Sequence, residues 1–167
     1  MGEQVTTLED LLRPGLMATC VGINPSPVSV EAGHYYQGRA GQRFFARLRQ
    51  AGVLPASESG YEDDAALAAD IGFTDIVKRP TASAEAVRRD EFEYGRALLQ
   101  EKLEMCRPGL VIFTFKKAAQ VLFGPFAGNG FVGGLRLAQS DVFVMPGPYE
   151  DARTAAATLA KLAERFA

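Results

Sequence analysis

Asn24 stands in the stretch Gly-Ile-Asn-Pro-Ser-Pro, residues 22 to 27. The six residues before Ile23, Met-Ala-Thr-Cys-Val-Gly (17 to 22), carry no charge and read as a strand covered on both faces, so the chain leaves the core at Asn24. A neutral amide there is either a side-chain-to-backbone turn ahead of Pro25 or a tool, because its carbonyl oxygen can hold a water without being a strong base. Other chemistry-bearing residues follow apolar runs in the same way. Asp75 lies in Gly72-Phe-Thr-Asp-Ile-Val, Lys116-Lys117 follows Leu110-Val-Ile-Phe-Thr-Phe, and Met145-Pro-Gly-Pro-Tyr-Glu follows Asp141-Val-Phe-Val. His34, Tyr35 and Tyr36 sit together in a loop from Pro25 to about Gly41, and structureless loops longer than ~12–15 residues are often functional.

Several chemistries are excluded. No Walker A sequence, no G-x-S-x-G and no G-x-G-x-x-G after a strand is present. One histidine rules out multi-histidine zinc sites and weakens any serine triad. Two cysteines are too few for a thiolate-held iron–sulfur cluster and suit packed, reduced thiols. Neither a metal nor an organic cofactor is expected, so any reaction must run on amides, carboxylates and aromatics.

With 167 residues, 47% apolar and 23% charged, the chain is expected to form one domain over 1–167. The net charge of −2 announces no global positive field for nucleic acid. Local clusters, Arg39, Arg43, Arg47 and Arg49 above all, read first as solvated faces. No apolar run approaches the ~18–20 residues that cross a bilayer, and the first ten residues lack the basic-then-apolar order of a signal peptide. A cytoplasmic, membrane-free protein is expected.

The elements that must position these residues alternate between strand and helix. Leu8, Leu11 and Leu12 suggest a short amphipathic helix, and Phe44, Phe45 and Leu48 a second helix ending at Gly52. Residues 56 to 66 read as an acidic surface excursion entering a short helix. A strand begins at Gly72, a helix runs from about Asp90 to Arg107-Pro108-Gly109, and a strand begins at Leu110 and leads into a helix over Lys116 to Phe123. The glycine-rich stretch 124 to 134 reads as a loop or hairpin connection, Asp141 opens a fourth strand, and 151 to 167 forms a terminal helix. Continuous apolar strands separated by helices imply α/β: a three-layer α/β/α sandwich around a four-stranded, mostly parallel sheet. Ligands in such folds bind outside the carboxyl ends of the strands, where Asn24, Asp75, Lys116-Lys117 and Met145-Pro-Gly-Pro-Tyr-Glu all fall.

These residues resemble the mismatch-specific uracil-DNA glycosylases and thymine-DNA glycosylases of the uracil-DNA glycosylase superfamily. Leu12-Arg-Pro-Gly-Leu with Cys20-Val-Gly-Ile-Asn-Pro is similar to that family's first motif and its lead-in. The likeness continues through Ala32-Gly-His-Tyr-Tyr, Arg43-Phe-Phe with Gln50-Ala-Gly, Gly72-Phe-Thr-Asp-Ile-Val-Lys-Arg-Pro-Thr, Arg107-Pro before an apolar strand and lysine, and Met145-Pro-Gly-Pro-Tyr. It spans about residues 8 to 155 in one order.

The resemblance implies a monofunctional glycosylase that flips uracil out of DNA, initiating base excision repair; a monomer is expected. It assigns Asn24 to water activation and Tyr36, rather than its neighbour Tyr35, to stacking on the flipped pyrimidine. Gly22, Ile23 and His34 would line the base pocket, and Ser26, Lys116, Gly147, Pro148, Tyr149 and Arg153 would contact DNA. Asp75 is a second catalytic candidate and a departure, since several relatives carry asparagine or lysine there; a carboxylate could accept the uracil N3–H or orient the water. The second motif departs further. Relatives commonly show Asn-Pro-Ser-Gly and an apolar wedge, whereas this chain reads Gly147-Pro-Tyr-Glu-Asp-Ala-Arg. Tyr149 could serve as the wedge, Glu150 and Asp151 must turn away from phosphates, and Asp151 could simply cap the last helix. Three alternatives stand beside uracil excision: a shifted base choice (hypoxanthine, xanthine or thymine), a protein that binds uracil or abasic sites without turnover, and a small-nucleotide binder that never meets DNA.

Overall fold

The computed structural model describes residues 2–167. Strand β1 (Ala18–Gly22) is wholly buried and pairs in parallel with β2 (Ile71–Asp75) on one side and β3 (Leu110–Phe113) on the other. β3 pairs in parallel with β5 (Ser140–Val144), and β5 carries β4 (Gly130–Leu137) antiparallel at the far edge. The sheet is therefore mixed and five-stranded, in the order β2-β1-β3-β5-β4, and not four-stranded. The extra strand comes from the glycine-rich segment, which a bulged register between Phe131 and Arg136 folds back along β5.

Alternation along the strands sends side chains to two separate cores. Ala18, Cys20, Ile71, Phe73, Leu110, Ile112 and Phe143 face α2 (Arg39–Gln50), α3 (Glu62–Ala68) and α6 (Ala152–Phe166), burying Phe44, Phe45, Leu48, Leu159 and Leu162 against them. Val21, Val111, Phe113, Val142 and Val144 face α4 (Arg89–Cys106) and α5 (Lys116–Phe123) through Leu99, Leu103, Ala118, Ala119 and Leu122. Helices thus cover both faces of the sheet. Among the described residues, no helix is long and apolar enough to cross a membrane.

Two segments differ from expectation. Residues 8 to 12 form no helix; Leu11 instead exchanges N–H···O bonds of 2.9 and 3.0 Å with Phe73 across the outer edge of β2. Its leucines, spaced for a helix, serve an extended strip, with Leu8 buried in the core. The loop after β1 is not structureless either, since it holds α1 (Pro27–Ala32), capped by Ser26 and started by Pro27.

Candidate active site

The segments that follow β1, β2 and β3, together with the start of α2, line a cavity of about 520 Å³, with Gly22, Ile23, Asn24, Ser26, Tyr36, Thr81, Thr114 and Lys117 in its wall. Two backbone bonds past the strand ends, Ile76 N–H to Gly22 O and Val77 N–H to Ile23 O, keep the exits of β1 and β2 side by side. Thr81 N–H then bonds Pro25 O at 3.2 Å, bringing the Lys78-Arg79-Pro80-Thr81 loop over Asn24.

Asn24 is held by its amide nitrogen. Nδ2 donates to Arg79 O at 2.9 Å and to Thr81 Oγ1 at 2.8 Å, and Thr81 Oγ1 donates in turn to Ser83 O at 2.7 Å. With the hydroxyl proton committed to Ser83, Thr81 can only accept from Asn24, which fixes the amide's orientation. Both amide protons are spent on the loop, and Oδ1 is the end left for a ligand. The loop is itself anchored: Arg79 Nε and Nη2 clasp the buried Glu91 carboxylate at 2.6 and 2.8 Å, and that clasp lowers the Glu91 pKa to about 2.

Tyr36 lines the cavity while Tyr35 belongs to the core, its hydroxyl donating to Glu9 O at 3.0 Å. Tyr36 has a left-handed backbone (φ 58°) and sits so close to α2 that a Cβ at position 41 would collide with its backbone; Gly41 makes that approach possible. Its ring packs edge-on against Phe44 and Phe73, at centroid distances of 5.2 and 5.7 Å.

Asp75 does not line the cavity. It lies behind Gly22, where an added Cβ would strike its Oδ1 and come within 3.2 Å of the Tyr36 hydroxyl. Both carboxylate oxygens and the Tyr36 hydroxyl are buried without a hydrogen-bond partner. Burial pushes the Asp75 pKa up to about 7, Lys78 and Lys102 opposing and Asp10 assisting the rise. The same burial, with the Asp75 charge nearby, raises the Tyr36 phenol.

The other sequence candidates divide. Gly22, Ile23 and Ser26 join Asn24 and Tyr36 in the cavity wall. His34 does not: its Nδ1 is 2.8 Å from Asp63 Oδ1, and its ring stacks on Tyr61 at 3.6 Å. His34, Asp63 and Asp64 bring their ligand atoms within 4.8 Å of one another, a spacing a metal ion accepts, but His34 and Asp63 already satisfy each other. Lys116 turns over the Phe126 ring at 5.4 Å, and Lys117 takes the cavity wall instead. Gly147, Pro148 and Tyr149 form a turn beyond β5, joined to the cavity by a small hollow whose wall shares Thr114 and Phe115 and reaches Pro146 and Pro148. Tyr149 is 96% exposed at its tip. Arg153 is exposed on the first turn of α6.

Glu150 and Asp151 are both engaged. Asn129 Nδ2 donates to Glu150 Oε2 at 2.7 Å, and Asp151 caps α6 by accepting from Thr154 N–H at 3.0 Å. Of the Lys116-Lys117 pair expected at the strand ends only Lys117 reaches the cavity wall, and Thr81, absent from the candidates named by sequence, joins it there. Thr81 ends the Lys78-Arg-Pro-Thr stretch, and which of its side chains meets Asn24 is decided by folding across 57 residues. A family model described as the Uracil DNA glycosylase superfamily matches residues 10–164.

Proposed function

The chain belongs to the uracil DNA glycosylase superfamily, a group of DNA-repair glycosylases, and from that premise we propose that it is a monofunctional uracil-DNA glycosylase. Uracil leaves the stack and enters the cavity beyond β1 to β3, where the Tyr36 ring supplies a stacking surface and Asn24 Oδ1 holds the attacking water. As the bond from C1′ to the base breaks, its electron pair departs with uracil, and water oxygen adds to C1′ while the proton it sheds passes through solvent to the uracil anion, leaving an abasic site and free uracil. Positive charge grows on the sugar and negative charge on the base, so fixed dipoles placed before the reaction lower the barrier. Lys117 at the wall supplies positive charge for the DNA backbone or the departing base.

One observation carries this reading: the Asn24 amide, with both N–H groups spent on the 79–81 loop, offers a carbonyl oxygen beside the Tyr36 ring in a cavity of ligand size. Asp75 enters as a supporting group behind Gly22. Its carboxyl is kept away from the base, and this avoids repulsion with an anionic leaving group. Tyr149, the one large side chain standing free at the second-motif turn, is the wedge that fills the space left by the flipped base.

The test is release of free base from oligonucleotides carrying uracil single-stranded, opposite guanine or opposite adenine, with hypoxanthine as a further substrate. Uracil release that falls about a hundredfold or more in folded Asn24→Ala supports the assignment. No release from any substrate by folded protein removes it. Extrusion costs least for mispaired or unpaired bases, so guanine-paired uracil should be cut at least as fast as adenine-paired uracil. A second reading, shifted base choice, draws on the placement of Asp75: with its carboxylate behind the wall, it does not select the uracil edge, and preferential release of hypoxanthine would favour that reading.

A further inference from the structure

Residues 146 to 148 beyond β5 contain two prolines, which have no N–H, and a glycine with nothing within 4 Å of where its Cβ would be. Such a segment has little of its own to hold it. Its three carbonyls are nevertheless all taken. Arg47 Nη1 donates to Pro146 O at 2.7 Å and to Gly147 O at 2.9 Å, and Arg43 Nη1 donates to Pro148 O at 2.9 Å. The two arginines are four residues apart on α2, hence on one face, and the helix is anchored between them and beside them by buried Phe44, Phe45 and Leu48. Gly147 O also receives Glu150 N–H at 3.2 Å, closing the turn, while Glu150 and Asp151 are tied to Asn129 and Thr154.

We propose that Arg43 and Arg47 are positioning residues that hold the 146–148 backbone so that Tyr149 is presented beside the cavity. The inference rests on the reading of Tyr149 as the wedge. Charge-assisted bonds from a planar guanidinium are the strong and directional kind, and here they fasten a proline-bound turn to a rigid helix. Ordering the turn before DNA arrives removes an entropy cost from the encounter. Each guanidinium commits its Nη1 to the carbonyls of the turn, so the pair acts through Tyr149.

The chain contains no tryptophan, so Tyr149→Trp places its one tryptophan, excited apart from the tyrosines, at the tip. The anisotropy of that protein without DNA should fall when Arg47→Gln is added, and recover in part with Arg47→Lys, at matched thermal stability. In the native background, Arg47→Gln should lower the ratio of guanine-paired to single-stranded uracil release about tenfold. In a Tyr149→Ala background it should lower that ratio no further. Unchanged anisotropy overturns the clamp, and so does an additive effect in the double variant, which would mean that Arg47 meets DNA by itself. A Tyr149→Ala protein with the native ratio overturns the wedge, while the anisotropy result, needing no catalysis, still decides the clamp.

Discussion

Asn24 and Thr81, 57 residues apart, are joined by a 2.8 Å hydrogen bond in which the threonine oxygen accepts. The direction is enforced by the bond that Thr81 Oγ1 donates to Ser83 O. Thr81→Val keeps the shape and removes the acceptor, freeing the Asn24 amide to turn. Uracil release should fall about tenfold, the worth of one such bond, whereas Thr81→Ser should retain most activity. Single-turnover rates on one oligonucleotide compare the three proteins; equal rates for valine and native protein would remove Thr81 from the site.

Asp75 makes stability depend on pH. Burial raises its folded pKa to about 7 from 3.8, so between those values the native state keeps a proton that the unfolded chain has released. Stability contributed by this group is therefore lost as pH rises through that window, and the penalty is complete above pH 7. Asp75→Asn removes the dependence, and the difference between the two proteins should change by about 2–4 kcal/mol between pH 4 and pH 8. Urea unfolding at the two pH values measures it. Parallel pH profiles would mean that Lys78 and Lys102 keep the carboxylate ionised throughout.

Tyr36 separates ring from hydroxyl. The hydroxyl is buried without a partner, so Tyr36→Phe should leave stability unchanged or raise it by about 1 kcal/mol while activity stays within a few-fold of native. Tyr36→Ala removes the stacking surface, worth about 1–3 kcal/mol per base, and should cut kcat/KM roughly ten- to a hundredfold. Comparable losses in both variants would show that the hydroxyl takes part in the reaction.

The strands of the inner sheet were legible because burial on both faces leaves unbroken apolar runs, as in residues 17–22 and 110–115. β4 was hidden for the opposite reason: it is an edge strand broken by Gly133 and Gly134 and largely exposed. Its hairpin turns at Ala138 and Gln139, both with positive φ, where no Asn-Gly or Asp-Gly pair signals the turn. The leucines at 8, 11 and 12 fit a helical spacing, yet backbone bonds to Phe73 outweighed that local preference. Asn24 and Tyr36 could be picked from sequence because each sits at a strand exit or in a loop that resembles a known motif. The groups that hold the site and its neighbouring turn could not. Thr81, Glu91 and Arg47 act through contacts spanning 57, 12 and 99 or more residues, and the choice of Lys117 over Lys116 depends on the rotation of one short helix.

The exchange of two backbone bonds between Leu11 and Phe73 also has a bearing on solubility. A sheet whose outermost strand is left open offers a template on which another chain can add. Here one flank is shielded by the strip around Leu11, and the other, β4, is kinked by its bulge and carries Arg136. Neither flank presents a long straight row of free amides, so edge-to-edge pairing of one copy with another is discouraged.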